Sequence, residues 1–257
     1  MNEQKFKLNN EEMQILKNLI QMNQSIIFYP FGFMHNAPGK TIIAYYDFEK
    51  EKDFEEPFAL YNGNEFVHVL NTFGNEDTEI EVKENEIVLH NKNNTFKYLK
   101  SDLELISSMF VQKRLEETPA IQQGEVICDF TLTQENMATL WKILSITKYN
   151  KLFFMNENKK LVVKLIDDIE GTQGQGRNYF KLKVNEKENI ELNNLNSLKL
   201  YLQSDLFMKL LKNCEYWLRI YRFAKDEDEF VYFVRLTTLD EKLNYIIGLN
   251  ELEENEE

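Results

Sequence analysis

Met13, Leu16, Leu19 and Ile20 recur at helical spacing, while Gln14, Lys17, Asn18 and Gln21 fall on the opposite side. The pattern predicts an amphipathic helix whose polar face carries one positive charge and no negative one. Asn9 or Asn10 supplies its cap, with Glu11 and Glu12 at the positive end of the helix dipole. Ahead of it, Phe6-Lys7-Leu8 alternates as a short strand does.

This pattern returns later in the chain. Phe130 to Leu140, FTLTQENMATL, repeats the spacing of Phe6 to Leu16, FKLNNEEMQIL, at an offset of 130 − 6 = 124. Trp141 and Leu144 extend the second apolar face, and Lys142, Ser145 and Lys148 extend the polar one. Leu60-Tyr61 before Asn64-Glu65-Phe66 and Leu70 is likewise matched by Leu200-Tyr201 before Ser204-Asp205-Leu206 and Leu210, at an offset of 200 − 60 = 140. A repeat this long predicts one domain used twice rather than a solenoid.

Between these helices the chain reads as strands. Ser25–Met34, broken at Pro30, and Thr41–Phe48 precede an acidic loop, Glu49–Glu56. Phe58–Tyr61 leads to a helix capped by Asn62-Gly63-Asn64 and running to Phe73, with Phe66, Val67 and Leu70 inward and Asn64, His68 and Asn71 outward. Gly74 ends it as an αL cap. Thr78–Val82, Glu86–His90 and Thr95–Leu99 follow as strands joined by turns. In the second half the pattern predicts a strand from Glu125 and a helix Gln134–Thr147. Strands Lys151–Met155, Lys160–Ile166 and Asn178–Val184 come next, then a helix Ser204–Asn213. Strands Tyr216–Phe223, Glu229–Leu236 and Leu243–Leu249 close it. Each half thus has two helices and about nine short strands, an α+β class with helices on one face of antiparallel sheet. The divisions are 1–115, a connector 116–124, 125–250 and an acidic tail 251–257.

Composition changes this picture little. At 257 residues, 43% hydrophobic and 28% charged, with 9 Gly and 4 Pro, the chain suits two packed domains. No apolar run approaches the roughly 20 residues that span a bilayer, so no membrane partner is expected, and the first ten residues lack the apolar core of a signal peptide. Cys128 and Cys214 have no metal or redox spacing and read as buried free thiols of a reducing compartment. A net charge of −13 by itself opposes tight nucleic-acid binding, which makes the placement of the cations more informative than their sum.

Candidate catalytic chemistry is sparse. His35, His68 and His90 have no Ser or Cys partner in a known pattern. The Gly171–Gly176 run lacks the Lys-Ser/Thr of a phosphate loop. Asp167-Asp168 and Asp226–Glu229 read as acidic turns. No metal, cofactor or enzymatic activity is expected.

The duplicated domain with polar helix faces resembles the DNA sliding clamps, and among them the polymerase processivity factors of T-even phages. Leu8 to Asn18, LNNEEMQILKN, resembles the pattern LxxExxxLLKN of the first helix, with Ile15 in place of its first paired Leu. Phe58 to Leu70, FALYNGNEFVHVL, with the turn from Gly74 to Asp77, resembles the middle segment of those proteins. The longer second domain and the acidic tail depart from their pattern. The resemblance implies a homotrimeric ring around duplex DNA, with helices inside and sheets outside. It implies no catalysis, a replicative DNA polymerase as cargo, an ATP-driven clamp loader, and a virus-encoded protein in the host cytoplasm.

On that basis the DNA-facing residues are Lys17, Asn18, Gln21, His68, Asn71, Lys142, Ser145, Lys148, Lys209 and Lys212, with Lys151 just beyond. So few cations suit a tether that slides, because each phosphate contact steepens the salt dependence of binding. By the same resemblance, Thr95, Phe96, Lys97 and Tyr98 of one subunit pair with Tyr179, Phe180, Lys181 and Lys183 of the next. A partner peptide docks beside Phe110, Val111, Leu115, Pro119 and Ile121 of the connector and near Leu249 and Leu252. Two other readings stay open: a monomeric, non-ring clamp with a basic face, and an enzyme on a duplicated α+β scaffold.

Overall fold

The structure is a computed structural model that describes residues 4–21, 23–36, 42–74, 77–106, 123–157, 160–167, 179–184, 200–205, 214–225 and 229–251. The chain forms two compact units, Met1–Arg114 and Leu115–Glu257.

The first unit contains strands β1 (Gln4–Phe6), β2 (Ile26–Tyr29), β3 (Gly32–Asn36), β4 (Ile42–Asp47), β5 (Phe58–Leu60), β6 (Glu79–Val82), β7 (Glu86–Asn91) and β8 (Asn94–Leu99). Its helices are α1 (Asn10–Ile20), α2 (Gly63–Phe73) and a single turn, α3 (Leu103–Ile106). One sheet has the order β1-β6-β7-β8 and the other β4-β3-β2-β5, all antiparallel. A bridge from Ala59 to Ser101 links β5 to the chain just after β8.

The second unit contains β9 (Glu125–Leu132), α4 (Gln134–Ile146), β10 (Lys151–Glu157), β11 (Lys160–Ile166), β12 (Tyr179–Lys183), β13 (Leu200–Gln203), β14 (Tyr216–Ala224), β15 (Phe230–Thr238) and β16 (Leu243–Glu251). Its strands run β9-β14-β15-β16 and β12-β11-β10-β13, and β13 joins the far end of β16. Strand for strand, this is the order of the first unit. The sequence repeat is therefore a repeat of architecture.

Both capping boxes are built. Asn9 is the cap of α1: its Oδ1 accepts from Glu12 N at 2.9 Å, and Glu12 Oε2 accepts from Asn9 N at 2.8 Å. At the same offset of 124, Thr133 and Asn136 exchange the same two bonds at the start of α4, each at 3.2 Å. Glu12 stands in the first turn of α1 as expected, and it is only 1% exposed. The Lys52 ammonium reaches its two oxygens at 2.7 and 2.9 Å and Lys7 O at 3.1 Å, and lies 4.7 Å over the Phe48 ring. Lys52 thereby ties the acidic loop to the start of α1.

Aromatic rings fill the first core. Phe28 stacks on Phe58 at 4.8 Å and meets Phe66 of α2 edge-on at 5.9 Å, and Phe6 and Phe54 complete the cluster. The outward set of α2 is as expected, with His68 and Asn71 exposed and Asn64 half-buried. In α4 only Met137 and Leu140 are fully buried; Trp141 and Leu144 are half-buried.

Several expectations are corrected. The first strand ends at Phe6 rather than Leu8, because the chain must turn out of the ladder to reach the Asn9 cap. Ser25–Met34 is not one interrupted strand but the hairpin β2–β3, turning at Pro30-Phe31 where proline cannot donate to a ladder. Gly74 has φ 87° as glycine permits, but ψ 116° lies outside the αL region. Each unit shows eight strands among the described residues, not about nine. Cys128 is buried, whereas Cys214 is only half-buried. The predicted helix Ser204–Asn213 lies outside the described residues beyond Asp205, and so do the Gly171–Gly176 loop, the connector from 107 to 122 and the tail from 252. No helix among the described residues is long and apolar enough to cross a membrane.

His35, on β3, is 1% exposed, and burial pushes its pKa down to about 4 although its Nδ1 donates to Ser25 O at 3.0 Å. In the unfolded chain the imidazole titrates near 6.5, so between pH 6.5 and 4 the unfolded state binds the extra proton. Stability is therefore complete above about pH 6.5 and is lost as pH falls, by about 3 kcal/mol at pH 4. Urea unfolding at pH 7 and pH 4.5 checks this. The His35→Gln variant is expected to lose the part of the pH dependence that wild type owes to this ring, and an unchanged pH slope refutes the assignment.

Candidate nucleic-acid interface

The polar helix faces come from local pattern, but their mutual placement comes from one glycine. A Cβ at Gly63 would meet Gln24 O at 2.8 Å and Ile20 Cγ2 at 2.9 Å. Gly63 N also donates to Gln24 O at 2.6 Å, so the start of α2 lies directly on the end of α1. The first unit therefore presents two helix faces side by side. On α1, Lys17 and Asn18 are half-buried and Gln21 is exposed, and Gln14 Nε2 donates to Asn18 Oδ1 at 3.3 Å. On α2 the exposed face offers His68, Asn71 and Thr72 and no lysine or arginine.

In the second unit, α4 exposes Lys142 and Ser145, with exposed Lys148 just past its end. Ser145 Oγ donates to Lys142 O at 2.8 Å. Lys151 is on β10, half-buried, its ammonium 4.4 Å over the Tyr201 ring, which directs it to that ring rather than to a helix face. Lys209 and Lys212 lie outside the described residues. Glu11, Glu65 and Glu135 sit exposed in the first helical turns, so positive charge on these faces is thin. Such surfaces can touch a polyanion weakly but cannot grip it.

The edge strands form the second part of the site. β8 and β12 each end their sheet among the described residues. Lys100 N donates to Asn85 O and Val184 N to Leu161 O. Alternation then turns the backbone of Thr95, Lys97 and Leu99, and of Tyr179, Lys181 and Lys183, toward the open edges. Leu99 is 75% and Tyr179 57% exposed. Lys97 pairs with Glu86 at 3.3 Å, and Lys181 pairs with Glu157. Tyr98 is committed inward: its hydroxyl donates to Asn62 O at 2.8 Å and accepts from Asn62 N at 3.2 Å, and Phe96 lies half-buried beside it. Phe180 is half-buried.

A cavity of about 400 Å³ lies in the first unit beside α3. Ile27, Met34 and Ile106 line it with apolar surface, Asn23, Ser25, Ser101 and Asp102 with polar groups, and Tyr61 forms an exposed lip. Of the expected partner-binding residues, Leu249 is on the buried side of β16 at 9% exposure, while Phe110, Val111, Leu115, Pro119, Ile121 and Leu252 lie outside the described residues. Sequence reasoning did not find this cavity. Its lining is drawn from four separate segments, around residues 23–27, 34, 61 and 101–106, and no local spacing announces it. No three His, Cys, Asp or Glu side chains among the described residues come together as a metal site.

No protein-family model and no curated protein matches the chain in sequence. Solved structures do match in fold. The chain is similar to the Helicobacter pylori beta clamp bound to a DNA ligase peptide, with a TM-score of 0.62 at 13% identity, over 98% of this chain and 67% of that one. The beta subunit of DNA polymerase III from Pseudomonas aeruginosa gives 0.59 at 10% identity, over 98% and 66%. The A. fulgidus PCNA bound to the C-terminal region of FEN-1 gives 0.56 at 12% identity, over 96% of both chains. The chain thus spans about two thirds of the bacterial clamps and nearly all of the archaeal one. At these identities the likeness shows an α+β clamp fold across the whole chain.

Proposed function

We propose that this protein is the subunit of a ring-shaped sliding clamp that encircles duplex DNA and tethers a replicative polymerase. The clamp fold supports this, and the observation that carries it is the pair of open edges. β8 of the first unit and β12 of the second each turn the backbone of three residues outward with no strand partner among the described residues, beside an exposed Leu99 and Tyr179. Head-to-tail pairing of such edges is a heterologous contact, which closes into a ring when the rotation permits. Three chains of two units each then supply six units, and the helix faces line the hole. Affinity for DNA comes from enclosure, in keeping with so few cations on α1, α2 and α4.

On the resemblance to T-even phage processivity factors, the ring is loaded by an ATP-driven partner in the cytoplasm of an infected cell and has no catalysis of its own. Partner segments dock through apolar side chains; two of the similar structures are bound to partner segments, one a DNA ligase peptide and one the C-terminal region of FEN-1. We assign a further docking place for such a side chain to the cavity lined by Ile27, Met34, Tyr61 and Ile106, beside the expected set of Phe110, Val111, Leu115, Pro119, Ile121, Leu249 and Leu252. A buried aromatic or leucine side chain contributes about 1.5–3 kcal/mol there before ordering costs. The domains serve as 1–115 and 125–250, joined by the connector 116–124.

Light scattering tests the reading. A mass of three chains supports the ring, whereas a single chain favours the monomeric clamp or the enzyme. A second expectation concerns DNA. Replacing Lys17, Lys142, Lys148, Lys209 and Lys212 together by Ala is expected to leave each unit folded, because exposed changes cost within about 0.5 kcal/mol each. Processive synthesis should fall at low salt and depend less steeply on salt than in the unaltered protein, because phosphate contacts are gone. Unaltered product lengths across a salt series rule out these lysines as the DNA contacts.

A further inference from the structure

The sheet β12-β11-β10-β13 buries one face. Leu152, Phe154, Val163, Leu165, Leu200 and Leu202 are at most 1% exposed, so the alternate residues project from the face away from that core. Register lays this second face out in rows. Lys181, Lys164, Phe153 and Tyr201 stand opposite one another across the four strands. Lys183, Val162 and Met155 form the row on one side, and Tyr179, Ile166 and Lys151 the row on the other. In the corresponding sheet of the first unit, β4-β3-β2-β5, the face away from the core presents Ile27, Tyr29, Met34, Ile43, Tyr45 and Asp47, with no lysine among them. Packing of the duplicated sheet therefore does not demand the lysines.

Three of these lysines form a patch on β11 and β12. Lys164 and Lys181 are directly opposed, which brings their Cβ atoms to about 4.5–5.5 Å and is unfavourable for like charges. Lys181 is paired with Glu157. The Lys164 ammonium lies 4.3 Å over the Tyr179 ring and has no carboxylate partner among the described residues. Lys183 is exposed and likewise has none. Three ammonium groups against the carboxylate of Glu157 leave an excess of two positive charges there, in a chain of net charge −13. Lys151 shares the face, but Asp167 and Asp205 follow the strand ends on either side of it, so the excess is confined to the β12 side.

We propose that this patch is a docking site for an extended, acidic segment of a protein partner, in which carboxylates two residues apart meet Lys164 and Lys183. These two lysines are diagonal neighbours across β11 and β12, about 7–8 Å apart. Alternate side chains of an extended segment lie roughly 6.6 Å apart, within reach of the lysine stems. The sheet holds both stems at their base, so binding costs little beyond the freedom of the side chains themselves. Charge selects a peptide over a nucleic acid. Two unbalanced cations suit two carboxylates, whereas a strand of phosphates longer than the patch runs on past Glu157, Asp167 or Asp205. Edge pairing of β12 would occupy its backbone and not this face, so the site stands whether or not the chain forms a ring.

The test uses the full chain and fluorescently labelled hexaglutamate at low salt. The anisotropy of the peptide is expected to rise saturably, with affinity falling as salt is added. Lys164→Gln combined with Lys183→Gln should weaken binding by about tenfold. Lys50→Gln combined with Lys92→Gln makes the same change of charge at exposed positions of the first unit and should bind as the unaltered chain does. Near-ultraviolet circular dichroism checks that each variant is folded. The single change at exposed Lys183, expected to weaken binding about threefold, keeps the test decisive if the double variant does not fold. Absence of saturable binding overturns the proposal, and so does equal affinity in the unaltered chain and the Lys164/Lys183 variants, or an equal loss in the Lys50/Lys92 variant. Displacement of the peptide by a six-nucleotide oligothymidylate or by inorganic phosphate at equal concentration also overturns it, since the site is then a general anion site.

Discussion

Proline at position 181 is expected to turn a three-chain particle into single folded chains. Lys181 pairs with Lys164 of β11, but the hydrogen-bonded position beside it is Val184 N to Leu161 O. Residues 180, 182 and 184 therefore bond inward, and Lys181 directs its N–H to the open edge. Proline there removes one outward donor and sets its ring against an incoming strand, while the β11–β12 ladder stays whole. The lost ion pair with Glu157 is about 30% exposed on both sides and is worth at most about 1 kcal/mol. Light scattering on Lys181→Pro should give the mass of one chain with unchanged circular dichroism. Lys181→Ala, which keeps the donor, should still assemble. If the proline variant runs as a trimer, β12 is not the joining strand.

Glu12→Ala is expected to cost about 3–5 kcal/mol, because it strands the Lys52 ammonium in a site only 15% exposed. It also removes half of the capping box on α1. The second unit makes the same box with uncharged Asn136, so the carboxylate is there for Lys52 rather than for the cap. Combining Glu12→Ala with Lys52→Met should cost clearly less than the sum of the two single changes, since the stranded charge is then gone. Urea unfolding at fixed protein concentration measures this. A single-variant loss below about 1 kcal/mol contradicts a buried pair.

By itself the sequence determined what depends on residues close along the chain. Helical spacing at Met13, Leu16 and Leu19, repeated at Met137 and Leu140, announced the helices and the duplication, because a 3.6-residue period and a capping box are properties of one short segment. Most strand positions were legible for the same reason, from alternation bounded by turns. The tertiary structure alone decided what depends on distant segments. It paired Glu12 with Lys52, forty residues away. It buried His35 in a sheet where its polarity suggested nothing of the kind, and it turned Tyr98 inward to Asn62. It gathered Arg219, Asp129 and Arg235 from three strands by their register, and it left β8 and β12 each with one open edge among the described residues. Local propensity is set by the backbone and side chain of each residue, whereas register, burial and open edges exist only once separate strands have been brought together.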